Sequence, residues 1–252
     1  MTRAPTEMRY TSQPRAEVIE LRSYPMKPLG RDSFIDNFEA HYLEEIERFG
    51  AVVMGQFRVL NDPDRFVWFR GFPDLATREP SLRAFYAGEV WKRHGPISMA
   101  LFLRPLTVRV LRPLAGGNLT AGMTLKSTLS AFASGNCSVE TGVVVVDIFR
   151  AAHGHRRDRL ADLLRTSLLA SEHEDSELRG ILVAEERTDA WEEEVVRDPH
   201  EVVLVTAHRD RGTAKRHAET VAALSRQAGG DLTGPPTSMQ LLPTMRSAMR
   251  FR

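Results

Sequence analysis

The chain has 252 residues, a length that permits one large domain or two smaller ones. Its 34 lysines and arginines balance 33 aspartates and glutamates, which excludes the broad basic surface that nucleic-acid binding needs. The hydrophobic content of 42% is typical of a soluble globular protein, and a single cysteine rules out an internal disulfide. No apolar run approaches the roughly 18 residues of a membrane-spanning helix, so we expect a cytoplasmic protein.

Changes in composition along the chain suggest its division into domains. We expect residues 1–16 to be a disordered lead-in and residues 247–252 to be a basic, solvated tail. Between them we predict one domain over residues 17–113 and a second over residues 139–246. Residues 114–138, rich in small and hydroxyl side chains, are predicted to be the linker.

The first domain begins with an alternating apolar and polar strand, a Pro/Gly turn and an amphipathic helix. Asp32 or Ser33 is predicted to cap this helix, and Gly50 to end it. Two strands, a helix over residues 74–93 and a final strand follow. The resulting order, β-α-β-β-α-β, is that of a ferredoxin-like unit. A divergent second copy is predicted from Val143, with an insertion at DAWEEEVVRDPH.

Several blocks of the first domain resemble the NIPSNAP family, a branch of the dimeric α+β barrel superfamily. They are IELRSYPMKPLGRDSFIDNFEAHYL, ERFG, VWFRGFPDLATRE and FYAGEVWKRH followed by VRVLRP. The resemblance covers residues 18–113. It implies an α+β fold in which two tandem ferredoxin-like units pack sheet to sheet as an intramolecular dimeric α+β barrel.

The same resemblance implies a small-molecule enzyme that acts on a hydrophobic organic substrate without a nucleotide cofactor. Oxygenation, isomerisation or elimination would be carried out by His, Arg and Tyr side chains in a pocket. The sequence has no GxGxxG, P-loop, GxSxG or CxxC pattern, which favours such chemistry over nucleotide-dependent or serine and thiol mechanisms. A non-catalytic ligand-binding or protein-interaction module is the alternative, and a haem-binding protein is the third. We expect a hydrophobic small-molecule ligand as partner, with a homodimer left open.

Two histidines are the candidate catalytic residues. His41 follows Phe34 and Phe38 at helical spacing, which predicts either a core imidazole or a general base between helix and sheet. The family motif also has a histidine at that place. His94 precedes Gly95-Pro96, where we expect a break in the helix, and is the second acid–base candidate.

Alternation along two strands predicts a polar face on the first sheet, which could equally be a solvated or interface surface. Arg22 and Tyr24 share this face with Trp68 and Arg70, offering arginine forks for a carboxylate, phosphate or enolate. We expect this set in the barrel interior, away from the helices. Asp147 aligns with Arg22 between the repeats and is predicted to form a structural charge pair with it across the pseudo-twofold axis.

The second helical region contributes further candidate substrate-binding residues. Tyr86 and Trp91 are predicted to form a lid-like cluster, or else ordinary aromatic packing. Met99 stands where bacterial relatives carry an asparagine, and residues 104–106 replace an acidic run. These departures imply a more apolar or anionic ligand than in the relatives.

We predict no metal site. His153 and His155 flank a glycine but have no acidic or cysteine partner at ligand spacing, so a solvated turn is favoured. His208 and His217 could face a cavity in the second domain and ligate haem, although no cofactor is expected. Cys137 is predicted to be a buried thiol without reactivity.

Overall fold

The structure is a computed structural model that describes residues 16–103, 105–114, 119, 142–169, 174–191 and 195–251. The predicted lead-in up to residue 15, Cys137, almost all of the linker and the side chain of His155 lie outside the described residues. Below, the first half means residues 16–114 and the second half means residues 142–251.

The first half follows the predicted order, but both of its helical positions are divided into two helices. Its strands are β1 (Val18–Pro25), β2 (Val52–Val59), β3 (Arg65–Phe72) and β4 (Thr107–Pro113). Its helices are α1 (Gly30–His41), α2 (Leu43–Arg48), α3 (Leu75–Ala87) and α4 (Glu89–Leu101).

The second half has the same order of elements. Its strands are β5 (Val143–Arg150), β6 (Ser176–Ala184), β7 (Glu201–His208) and β8 (Thr237–Pro243). Its helices are α5 (Gly154–Leu169) and α6 (Arg211–Ala228), the latter capped by the Asp210 carboxylate, which accepts a hydrogen bond from the Thr213 amide.

All eight strands of the described residues form one closed antiparallel barrel in the order β1-β3-β2-β8-β5-β7-β6-β4. The prediction of a mixed α and β fold is confirmed. The halves join through strand pairing, because Phe57–Val59 pairs with Leu241–Pro243 and Leu111–Pro113 pairs with Leu182–Ala184. This closure removes the exposed sheet edges that would otherwise invite pairing with another chain.

The barrel interior is filled by apolar side chains from all eight strands. Ile19 and Leu21 of β1 pack there with Val144 and Val146 of β5. Met249 is fully buried in the same core, so the prediction of a solvated C-terminal tail is wrong. The tail is ordered because the free energy gained by burying an apolar side chain exceeds the conformational entropy lost on fixing the chain end.

Two helix boundaries differ from the prediction. Helix α1 begins at Gly30, after an exposed Leu29 in the left-handed conformation (φ 65°), so neither Asp32 nor Ser33 caps it. Helix α4 runs through Gly95 and Pro96, and the predicted break there is wrong. A side chain at Gly95 would collide with the Trp91 ring, so the glycine permits close packing within an unbroken helix. The left-handed Gly50 (φ 93°) after α2 confirms the predicted helix end.

In the part of the chain that the structure describes, no helix has both the length and the apolar character needed to cross a membrane.

Replacement of Gly71 tests how tightly the barrel is packed. A Cβ atom there would lie 2.4 Å from Met54 Cε and 2.6 Å from Ala16 Cβ. We expect Gly71→Ala to lower the free energy of unfolding by about 1–3 kcal/mol through overpacking. Urea denaturation should show this loss, whereas Gly230→Ala, with nothing within 4 Å of its added Cβ, should leave the midpoint unchanged. Equal midpoints for both variants would contradict a close-packed interior.

Candidate functional site

The polar residues of β1 and β3 lie between the sheet and the helices of the first half. Arg22 is paired in register with Trp68, and Glu20 with Arg70. The prediction that this set lies in the barrel interior is therefore wrong. The interior holds apolar side chains and offers no countercharge, whereas the helix side supplies the guanidinium of Arg78 from α3.

A fully buried carboxylate, Glu20, organises three arginines on this face. Its Oε2 lies 2.6 Å from Arg22 Nη1 and 2.7 Å from Arg70 Nε, and its Oε1 lies 2.6 Å from Arg78 Nε. All four side chains are at most 1% exposed. Burial alone would raise the pKa of Glu20, but the charges of Arg70, Arg22 and Arg78 hold it far below its usual range. Glu20 is therefore a permanent anion and a poor proton acceptor.

Two residues of the second half, Asp189 and Trp191, complete this site. Asp189 Oδ2 lies 2.7 Å from Arg78 Nη1, and the Asp189 side chain is only 7% exposed. Two residues later, Trp191 stacks on Tyr86 with ring centroids 5.3 Å apart and ring planes 14° from parallel. The predicted insertion in the second half therefore forms one wall of a site whose other residues belong to the first half.

An aromatic cavity of about 230 Å³ lies between this polar cluster and the helices. Ten of its fifteen lining residues are aromatic, and its two charged lining residues are both arginines. Every predicted substrate-binding residue lines it, namely Arg22, Tyr24, Trp68, Arg70, Tyr86, Trp91 and Met99. All three tryptophans of the chain, including Trp191, are among the lining residues.

Two buried donors at this cavity have no hydrogen-bond partner among the described residues, Trp68 Nε1 and Arg70 Nη2. The two groups are neighbours, because the guanidinium carbon of Arg70 lies 5.2 Å from the centre of the Trp68 ring. Arg22, by contrast, donates from Nε to the hydroxyl of Tyr24. Unpaired buried donors are costly, so the arrangement favours an acceptor oxygen supplied by a ligand.

Neither candidate catalytic histidine lines the aromatic cavity. His41 is exposed and stacks on His94 with ring centroids 3.7 Å apart, so its predicted place among core or cavity residues is wrong. Tyr42 takes the inward position instead, following Phe34 and Phe38, and its hydroxyl lies 2.9 Å from Ser98 Oγ. Desolvation, and then the neighbouring His41, lower the pKa of His94. The pair lies on the outer side of the helices.

The second half has its own buried polar cluster, on the helix side of its sheet. Asp147 Oδ2 lies 2.8 Å from His217 Nε2, so the predicted pairing of Asp147 with Arg22 is wrong. The ring of His208 lies between Ser176 Oγ, 3.0 Å from Nδ1, and Thr206 Oγ1, 2.8 Å from Nε2. Burial, reinforced by the charge of His217, lowers the pKa of His208 to about 4, so this imidazole is neutral at pH 7.

The predicted haem ligation does not fit His208. Both of its ring nitrogens are hydrogen-bonded, whereas only Nε2 of His217 is held, by Asp147. An axial ligand needs a free nitrogen lone pair directed at the iron. Over the described ranges, no group of three His, Cys, Asp or Glu side chains could hold a metal ion.

Sequence reasoning missed the residues that connect the polar cluster to its surroundings. Arg78 lies within LATREPSLRAFYA, where nothing distinguishes it from the solvated arginine Arg83. Asp189 and Trp191 were seen only as part of an insertion, because their partners are more than 100 residues away along the chain. Alternation along β1 places Glu20 on the same face as Arg22, yet alternation alone cannot show three arginines converging on it.

Comparisons with solved structures place the whole described fold among barrel proteins. The chain is similar to a candidate monooxygenase of Lactobacillus acidophilus (TM-score 0.59, 8% identity, covering 90% of this chain and 94% of that one). It is also similar to a candidate monooxygenase of Fusobacterium nucleatum (TM-score 0.60, 9% identity, 91% and 93% covered). A third match is an anthrone oxidase-like protein (TM-score 0.59, 12% identity, 91% and 92% covered). At these identities the likeness establishes the dimeric α+β barrel fold alone.

No curated protein matches the sequence. The NIPSNAP family profile matches residues 19–116, which span β1 to β4 together with all four helices of the first half. This match confirms the resemblance seen in the sequence blocks. The first half of the chain, which provides all but one of the residues that line the aromatic cavity, is the part that matches the NIPSNAP family.

Proposed function

We propose that the aromatic cavity binds a compact aromatic anion and that the chain is an oxygenase-type small-molecule enzyme. The observation that carries this proposal is the pair of unpaired buried donors, Trp68 Nε1 and Arg70 Nη2, in a cavity lined by ten aromatic residues. An aromatic ring would pack against the aromatic walls, and a carboxylate, phenolate or enolate oxygen would accept from both donors. At about 230 Å³, the cavity is smaller than the roughly 300–1,000 Å³ typical of drug-sized ligands, which favours a compact molecule.

The chemistry follows from stabilising an anion in a buried, positively charged place. The cluster of Glu20, Asp189 and three arginines contains three positive and two negative groups among the described residues. Such a field lowers the pKa of a bound phenol or enolisable ketone, because it stabilises the ionised form. The electron-rich anion then reduces dioxygen. A methylene group is converted to a carbonyl, with dioxygen as oxidant and water as the second product, so that R2CH2 and O2 give R2CO and H2O.

The proposal extends to the architecture, which we interpret as two tandem ferredoxin-like units. Both halves have the element order β-α-β-β-α-β. Their strand orders also correspond, with β4-β1-β3-β2 in the first half and β8-β5-β7-β6 in the second. Each unit has helices on the outer side of its sheet, so each has its own place for a cavity between sheet and helices.

A second function, ligand binding without turnover, is favoured by a different observation. The fifteen residues that line the aromatic cavity include no carboxylate and no imidazole. A substrate that must lose a carbon-bound proton would find no strong base there. A ligand that is already an anion at neutral pH would still bind, so affinity and turnover need separate measurements.

Binding should depend on the negative charge of the ligand. We expect benzoate to bind with a negative enthalpy and to quench tryptophan fluorescence, because all three tryptophans line the cavity. Benzamide, of nearly the same shape but uncharged, should bind at least about tenfold more weakly, since a charge-assisted hydrogen bond contributes roughly 1.5–3 kcal/mol. Isothermal titration calorimetry would measure both affinities.

The matched variants for this titration are Arg70→Gln and Arg58→Gln. Arg70→Gln should lose the preference for benzoate. Arg58 pairs at the surface with Asp32 at 2.9 Å and does not line the cavity, so its variant should bind as the wild type does. Equal affinity of the wild type for benzoate and benzamide would contradict the proposed anion site.

Trp191 is expected to limit the size of the ligand from the second half of the chain. Trp191→Ala should improve the affinity for 2-naphthoate relative to benzoate by about fivefold or more, because it removes the aromatic group stacked on Tyr86. Trp191→Phe, which keeps an aromatic wall, should show little change in this ratio. An unchanged ratio in Trp191→Ala would show that this wall does not contact the ligand.

Turnover should appear as oxygen consumption. We expect the protein to accelerate oxygen uptake by anthrone, an aromatic ketone with an acidic methylene group, above the protein-free rate. Arg70→Gln should lower the accelerated rate by about tenfold or more, because it weakens stabilisation of the anion. An oxygen electrode measures the rate directly. If benzoate binds tightly but oxygen uptake stays at the rate measured without protein, the non-catalytic function is favoured.

A further inference from the structure

The second half contains a larger cavity of a different chemical character. It measures about 550 Å³ and lies among β6, β7, α5 and α6. Ser176, Thr206, Thr213 and Thr220 bring hydroxyl groups to its lining, which holds no aromatic ring except those of His208 and His217. It shares no lining residue with the aromatic cavity, so whatever it binds is independent of the function proposed above.

His217 is held at this cavity in a defined tautomer. Its Nε2 donates to Asp147 Oδ2 at 2.8 Å, and the Asp147 carboxylate is 1% exposed. The proton of the neutral imidazole is therefore on Nε2, and the lone pair is on Nδ1. Nδ1 has no hydrogen-bond partner among the described residues, and this atom is not fully buried. An accessible basic nitrogen is thus presented by a residue of the cavity lining.

A buried carboxylate lies behind the ring of His217. When Nδ1 takes a proton, the imidazolium forms next to a buried carboxylate that already binds its other nitrogen. A buried carboxylate that orients an imidazole and stabilises its charged form is the arrangement used in acid–base catalysis. The residues that line the aromatic cavity include no such pair. The carboxylate of Glu20, in the adjacent polar cluster, is held ionised by three arginines and is a poor proton acceptor.

Hydroxyl groups beside His217 can stabilise a developing oxyanion. Thr206 Oγ1 lies 3.4 Å from His217 Nε2 and 2.8 Å from His208 Nε2, and Ser176 Oγ lies 3.0 Å from His208 Nδ1. His208 is neutral, so it donates to one of these hydroxyls and accepts from the other. The hydroxyl that accepts from His208 keeps its own proton for a ligand oxygen.

The charges at the cavity favour an uncharged ligand. Asp175 pairs with Arg209, and Glu177 pairs with Arg179 at 2.6 Å. Arg216 and Glu219 add one charge of each sign to the lining. Such a balanced set of charges gives little attraction for an ion of either sign, in contrast to the arginine-lined cavity of the first half.

We propose that this cavity is an acid–base site that removes a proton from an uncharged C–H acid, with His217 as general base and Asp147 as its positioning residue. The C–H bond breaks, its proton moves to Nδ1, and its electron pair stays on the ligand, delocalised onto an oxygen that accepts from Ser176 or Thr206. Return of the proton to a different atom gives isomerisation. Departure of a leaving group with the electron pair gives elimination, and the imidazolium then releases its proton to water.

The probe for this site is 5-nitrobenzisoxazole, an uncharged C–H acid. Loss of its ring proton to a base forms a nitrile, breaks the N–O bond and releases a coloured phenolate, so the reaction needs no second reagent. We expect the wild type to exceed the rate of free imidazole at equal concentration. His217→Gln should lose about a hundredfold or more of the acceleration, the usual contribution of a general base. His153→Gln removes an exposed imidazole from the same half and should have no effect.

Asp147→Asn distinguishes catalysis from a purely structural contact. The amide cannot stabilise the imidazolium, so the rate should fall about tenfold or more and the pH at half-maximal rate should move to lower values. Benzoate binding at the first half reports folding of each variant, and it should be unchanged. Should His217→Gln fail to fold, the pH profile of Asp147→Asn still decides the question. A wild-type rate equal to that of free imidazole, or an unshifted profile in Asp147→Asn, would overturn the proposal.

Discussion

The buried carboxylate of Glu20 is the constraint on which the arrangement of the first half depends. Three guanidinium groups converge on its two oxygens on the helix side of β1. Taking these charges out of water is expensive, and removing one member of such a cluster typically costs about 3–5 kcal/mol. Helix α3 must therefore dock so that Arg78 reaches the sheet. Through Asp189, the same guanidinium also fixes the start of the insertion from the second half.

Closure of the barrel explains why both polar clusters lie on the outer faces of the strands. The interior has apolar side chains on all sides and no route for a countercharge. On the outer faces the helices can supply partners for buried charges, as α3 does with Arg78 and α6 does with His217. Each half consequently has room for a cavity between its sheet and its helices, and the barrel itself acts as the rigid support.

Local pattern predicted the strands well, because period-two alternation and turn residues are short-range signals. It also grouped Arg22, Tyr24, Trp68 and Arg70 correctly on one face, and all four line one cavity. It could not tell which face meets the helices, because both faces of β1 are buried. Nor could helical spacing separate His41 from Tyr42, since a shift of one residue rotates a side chain by about 100° and decides between solvent and core. Contacts to Asp189 and Trp191 depend on the tertiary fold, which local pattern does not contain.

Because the barrel is made from one chain, its two halves can carry different side chains at equivalent positions. In a barrel made of two identical subunits, a twofold axis would place the same side chain at both equivalent positions. Here Arg22 of β1 and Asp147 of β5 occupy corresponding positions but carry opposite charges, and each binds a partner within its own half. The arginine belongs to a cluster suited to binding an anion, whereas the aspartate orients an imidazole. The duplicated framework can therefore provide two environments of different chemical preference, while the shared apolar interior holds both in place.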